Sequence, residues 1–127
     1  MNREIEQLTR QFLEHLENTK FFSKVEFVIL YGSSLSSYYL DDSDIDLCLY
    51  IDEEKKVLSR IRLELLKKSI EKFDIQMFQL LPLYVQIEVL KGEVLYVKEE
   101  DRLYEIADET IDEYEEFYPL YLDYIDR

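Results

Sequence analysis

Glycine and proline are scarce, with two of each in 127 residues. That scarcity excludes collagen-like, disordered and loop-rich architectures. Cysteine occurs once, as Cys48, and histidine once, as His15. An internal disulfide is therefore impossible and the usual zinc ligands are missing, so any metal must be a hard cation held by carboxylates. No apolar run approaches the ~18 residues of a membrane span, and no charged-then-apolar leader opens the sequence. The expectation is a soluble, cytoplasmic protein without a membrane partner. Positive charge is also short: 15 Lys and Arg stand against 29 Asp and Glu, a net charge of −14. The deficit is uneven. Residues 99–127 hold twelve acids and two arginines, whereas the first 98 hold seventeen acids and thirteen bases. Such a chain repels phosphate backbones, which argues against direct nucleic-acid binding and favours a basic protein partner.

What is present is a well-patterned chain, 47% apolar, whose length fits one domain over residues 1–127 with one core. Asn2 can cap a first helix in which Ile5, Leu8, Phe12 and Leu16 recur at helical spacing. Val25 to Tyr31 is a β-branched and aromatic run that reads as a buried strand ending at Gly32. Ser33 to Tyr39 reads as a short helix or turn, and Leu40 to Ser43 as a loop. From Asp44 to Ile51 the residues alternate, Ile45, Leu47, Leu49 and Ile51 facing one way and Asp44, Asp46 and Cys48 the other. Asp52-Glu53-Glu54 opens a helix to about Glu71, with Leu58, Ile61, Leu65 and Ile70 inward. Phe73 to Phe78 is a third strand in which Asp74 and Gln76 share a face. Pro82 starts a helix to about Leu90 that Gly92 ends, and Glu93 to Val97 is a short fourth strand. A last helix starts near Glu99, carries Leu103, Ile106, Ile111, Tyr114 and Phe117 on its apolar side, and is expected to kink or break at Pro119. The order α-β-α-β-α-β-α-β-α predicts an α/β or α+β domain with a small mixed sheet flanked by helices.

Three features of this pattern carry chemistry. A strand runs into Gly32-Ser33 and then into a helix, where glycine admits a phosphate close to the backbone and the serine hydroxyl and N–H groups bond its oxygens. Asp44-Ile45-Asp46 opens the next strand, whose period of two sets both carboxylates on one face, within reach of a shared divalent cation. Asp74, an acid in an otherwise core-like strand, fits a third metal ligand and general base; its bland alternative is an edge-strand acid facing water. Asp42-x-Asp44-x-Asp46 with Glu53 in twelfth position imitates a calcium loop, but Leu47 stands where that loop needs glycine and the segment is strand-like. His15 and Cys48 read as packing residues. The tail tyrosines Tyr104, Tyr114, Tyr118, Tyr121 and Tyr124, set among acids, read either as contacts to a basic partner or as a solvated helix face.

The stretch from Leu30-Tyr-Gly-Ser-Ser to Ser43-Asp-Ile-Asp-Leu resembles the signature of the DNA polymerase β-type nucleotidyltransferase superfamily. The Gly-Ser-x10-Asp-x-Asp spacing is similar to that of the minimal nucleotidyltransferase (MNT) antitoxins of HEPN/MNT toxin–antitoxin systems. Asp74, the segment Glu88-Val-Leu-Lys-Gly-Glu-Val-Leu-Tyr and the acidic aromatic tail around Tyr114-Glu-Glu-Phe-Tyr-Pro-Leu extend the resemblance over nearly the whole chain. It implies a nucleotidyltransferase fold with a C-terminal helix, and a Mg²⁺-dependent protein adenylyltransferase that silences a cognate HEPN-type ribonuclease toxin by moving AMP from ATP to its tyrosine. Under that resemblance Gly32, Ser33 and Ser34 bind the triphosphate. Asp44, Asp46 and Asp74 bind two Mg²⁺, and Asp74 helps deprotonate the acceptor. Toxin and antitoxin would form a hetero-oligomer. Many relatives place arginine after Gly-Ser, whereas Ser34-Leu35-Ser36-Ser37-Tyr38-Tyr39 supplies hydroxyls without charge. The alternative is a non-catalytic antitoxin that occludes its toxin through the acidic C-terminal tail.

Overall fold

An apolar stripe decides how the first helix sits. In the computed structural model, which describes residues 3–32, 44–69 and 71–125, α1 (Arg3–Glu17) buries Ile5, Thr9, Phe12 and Leu16 along one side. Thr9 is the one polar residue of that stripe. Its hydroxyl donates to the Glu6 carbonyl at 3.0 Å, so its burial leaves no donor unmet.

Four strands form one mixed sheet in the order β3-β2-β1-β4. β1 (Val25–Tyr31) runs antiparallel to both β2 (Ile45–Ile51) and β4 (Glu93–Val97), and β2 runs parallel to β3 (Phe73–Met77). The parallel pair needs a crossover, which α2 (Lys55–Lys68) supplies. Leu58, Ile61 and Leu65 of α2 and Ile5, Phe12 and Leu16 of α1 pack on one sheet face, against Val28, Leu30, Ile45, Leu47, Leu49, Ile51, Phe73, Ile75 and Met77. The opposite face, bearing Phe27, Ile29, Cys48 and Phe78, is covered by Val89 of α3 (Leu83–Leu90) and Ile106 of α4 (Glu100–Ile125). Helices therefore flank both faces, as the alternation of apolar and polar positions requires. A register shift between Val25 and Phe27 explains how Val25 joins the α1/α2 core while Phe27, two residues on, joins the other.

Several boundaries differ from the sequence expectation. The acids Asp52, Glu53 and Glu54 precede α2 instead of forming its first turn, which holds Lys55 and Lys56. Glu53 instead forms an ion pair with Lys24. α2 ends at Lys68, and β3 gives way at Phe78 to a 3-10 turn over Phe78–Leu80. α4 continues through Pro119 to Ile125. Its inward face also shifts: Thr110 is buried, its hydroxyl bonded to the Ile106 carbonyl at 2.7 Å, while Ile111 is exposed. Asn2, Ile70 and the expected helix and loop over 33–43 lie outside the described residues.

Candidate active site

The strand register brings the carboxylates together. Asp46 is the second residue of β2 and pairs with Asp74 of β3 on one side and with Tyr31 of β1 on the other. Neighbouring strands lie about 4.8 Å apart, so Asp46 and Asp74, level across a parallel pair, face the same side and carry like charge at close range. Both are half-buried, while Asp44, just ahead of β2, is exposed.

The electrostatics follow from that placement. Burial, then the charges of Asp74 and Asp44, push the Asp46 carboxyl up to about 6 from its ordinary 3.8. A hydrogen bond to Asp74, which only the protonated form of Asp46 can donate, adds to the rise. Asp74 is also held from its other side, where the Gln76 side-chain N–H donates to its Oδ1 at 3.0 Å. Burial, then Cys48, Asp46 and Asp74, hold the Tyr31 phenol far above its usual range, as burial alone does for the Cys48 thiol. Cys48 is a core residue and no thiolate ligand.

Gly32 packs against Asp46 of this pair. Its φ of +74° is a left-handed conformation, and a Cβ there would sit 2.5 Å from Asp46 Oδ2. The backbone sign favours glycine at the end of β1, and any added side chain would also force the Asp46 carboxylate to move. The candidate phosphate ligands Ser33 and Ser34 lie outside the described residues.

The donor set fits a hard divalent cation. It consists of carboxylate oxygens that repel one another, and the raised Asp46 carboxyl reflects that repulsion, which a bound cation would relieve. Among the described residues, Asp44, Asp46 and Asp74 are neighbours without being drawn into a ready set of three ligands. The calcium-loop reading fails on structure: Leu47 is buried in mid-strand and Glu53 is turned to Lys24. Of the remaining candidates, His15 is half-buried on α1. Two residues gain significance only in the fold. Tyr31 becomes a neighbour of Asp46 through antiparallel pairing, and Gln76, visible as a face-mate of Asp74, becomes its hydrogen-bond partner.

Comparison with known proteins agrees with this geometry. The family described as polymerase beta, nucleotidyltransferase matches residues 11–101, which include Gly32, Asp44, Asp46 and Asp74. A protein of Methanocaldococcus jannaschii, provisionally named a protein adenylyltransferase, is 40% identical over 70 residues. That match covers 55% of this chain and 53% of the relative, so the chain aligns with about half the relative's length. Among solved structures, a toxin–antitoxin with AMP-PNP superposes with a TM-score of 0.72 at 18% identity, covering 94% of this chain and 97% of that one. A tri-AMPylated Shewanella oneidensis HEPN toxin in complex with MNT antitoxin gives 0.66 at 20% identity, covering 94% and 95%. At these identities the likeness is one of fold. With the family match spanning most of its length, the chain belongs to the polymerase beta nucleotidyltransferase family.

Proposed function

We propose that this chain is a Mg²⁺-dependent protein adenylyltransferase that acts as an antitoxin, transferring AMP from ATP to a tyrosine of a cognate HEPN-type toxin. The observation that carries the reading is the Asp46–Asp74 pair, side by side under Gly32 and short of positive charge. The family membership supports nucleotidyl transfer. The provisional name of the archaeal relative and the AMPylated HEPN toxin among the fold relatives support a protein acceptor.

In this reading Gly32 lets the triphosphate approach the backbone, while Ser33 and Ser34 offer hydroxyls to its oxygens. Asp44, Asp46 and Asp74 would hold two Mg²⁺, whose charge when bound offsets the negative charge developing on the phosphoryl oxygens. Asp74 takes the proton of the acceptor hydroxyl, and Gln76 keeps that carboxylate turned toward its work. The hydroxyl oxygen attacks the α-phosphorus, the bond to the β-phosphate oxygen breaks, and pyrophosphate leaves. The protein is expected to work in the cytoplasm as part of a hetero-oligomer with its toxin.

A second reading, a non-catalytic antitoxin acting by occlusion, draws on the exposed aromatic side chains of the acidic α4. Incubation with Mg²⁺-ATP and the product of the adjacent gene, followed by intact-mass measurement, separates the two. The first reading predicts a gain of AMP mass on that product, lost in Asp44→Asn/Asp46→Asn. Tight binding without any mass change would favour the second.

A further inference from the structure

Among the described residues, an apolar groove lies away from the carboxylates. It has a volume of about 590 Å³ and is lined by Pro82, Leu83 and Tyr84 at the start of α3 and by Tyr114, Phe117 and Tyr118 of α4. Asp74 stands near the start of β3, whereas α3 begins only after the chain has left the strand's other end. The groove thus opens past the opposite end of the strand.

Its walls are apolar and its setting is acidic. Tyr84 is 68% exposed, Phe117 50% and Tyr118 42%, and Tyr114 stacks on Tyr118 with ring centroids 5.4 Å apart. Exposed aromatic groups clustered this way lose the gain of burial and mark contact surfaces on soluble proteins. From Leu103 to Ile125 the sequence has eight acids and no Lys, Arg or His. Glu113, Glu115 and Glu116 interleave the three aromatic residues. Two such helices would bring like charges together, so the field disfavours a second copy of this chain as occupant. It favours a basic segment.

We propose that the α3/α4 groove is the docking surface for the acceptor protein, taking an apolar side chain of a Lys/Arg-rich helix between Tyr84 and Phe117. The proposal takes from the functional reading only that a separate protein binds this chain. The aromatic walls supply buried area at the centre and the α4 carboxylates pair with the flanking bases at the rim, the division of labour found in protein interfaces. Docking is separate from chemistry, so losing it weakens encounter without altering the reacting groups.

The test is calorimetric titration of the purified product of the adjacent gene into three proteins: wild type, Tyr84→Ala/Phe117→Ala, and Glu113→Gln/Glu116→Gln. All the substituted side chains are exposed, so thermal melts should match wild type and rule out misfolding. The proposal predicts tight, salt-sensitive binding to wild type and at least ~10-fold weaker binding to the aromatic variant. The charge variant should bind less tightly and with reduced salt dependence. In AMP transfer the aromatic variant should raise KM for the protein acceptor and leave kcat unchanged. Equal binding to all three proteins, or no binding to wild type, would overturn the proposal. So would self-association of wild type that the aromatic variant abolishes, since a second copy would then be the occupant. Groove-dependent binding without AMP transfer would support the docking surface while removing the catalytic reading.

Discussion

The two ends of this molecule are built on opposite terms. At one end, Asp46, Asp74 and Gly32 are fixed by strand register and a single permitted backbone conformation, with charge held where it is uncomfortable. At the other, aromatic side chains of α3 and α4 stand in solvent among acids that repel one another only through water. The first region stores electrostatic strain in a rigid frame and calls for a cation. The second leaves apolar surface in water, which a partner would cover. On the readings proposed above, catalysis and recognition fall to parts of the fold that differ in burial and in how their charge is placed.

That contrast can be broken most severely at the carboxylates. Asp46→Asn is expected to lower AMP transfer by at least ~10³-fold, because the charge that should hold the cation is gone. The same change should stabilise the protein without Mg²⁺. The Asp46 carboxyl is raised to about 6 in the folded state from its ordinary 3.8, so the folded state binds its proton more tightly than the unfolded one. Wild-type stability then falls as pH rises from about 4 to about 6 and stays reduced above. Two pKa units correspond to ~2.7 kcal/mol, and discounting for partial exposure leaves ~1 kcal/mol. Denaturant melts of wild type and Asp46→Asn in EDTA should coincide near pH 4 and separate by that amount at pH 7. Saturating Mg²⁺ should raise the wild-type midpoint and leave the variant unmoved.

Gly32→Ala comes next. The left-handed backbone costs an added side chain ~1–2 kcal/mol, and the contact with Asp46 Oδ2 forces the carboxylate to shift. Transfer should fall ~10²-fold with a lowered melting temperature, measured by steady-state kinetics and calorimetry. Gln76→Leu should have a smaller effect, since Asp74 keeps its charge and loses one donor. A ~10-fold loss in kcat, with the midpoint changed by no more than ~1 kcal/mol, is the expected result. The groove variant Tyr84→Ala/Phe117→Ala should act least on chemistry, changing only KM for the acceptor.

The same contrast governs what could be read from the sequence. That Asp46 and Asp74 face one way in their strands was legible because a strand has a period of two and core strands seldom carry acids; Asp44, read as the first residue of that strand, lies just ahead of β2 and is exposed. All four described strands fall where β-branched and aromatic runs place them, to within a residue at each end. The β2/β3 register, which alone puts Asp46 beside Asp74, was not legible: it depends on how α2 carries the chain across the sheet. Tyr31 and Gln76 gained their roles through that register and through a hydrogen bond with no local signature. In α4 the inward residue is Thr110 and not Ile111, because the helix angle is set by packing on Phe27 and Phe78, and a hydroxyl that bonds its own backbone can be buried there. Pro119 is itself exposed in α4 and lies past the buried Ile106 and Thr110, where a lost backbone bond can be met by water and the helix proceeds. The groove needed both α3 and α4 in place before its six residues met.

The most direct measurement is calorimetric titration of a non-hydrolysable ATP analogue into wild type, Asp46→Asn and Asp74→Asn, each with Mg²⁺ and with EDTA. The account predicts binding to wild type that requires Mg²⁺ and is lost in both variants. Equal affinity in EDTA, or undiminished binding to either variant, would contradict the claim that the Asp46–Asp74 pair under Gly32 is the metal–nucleotide site.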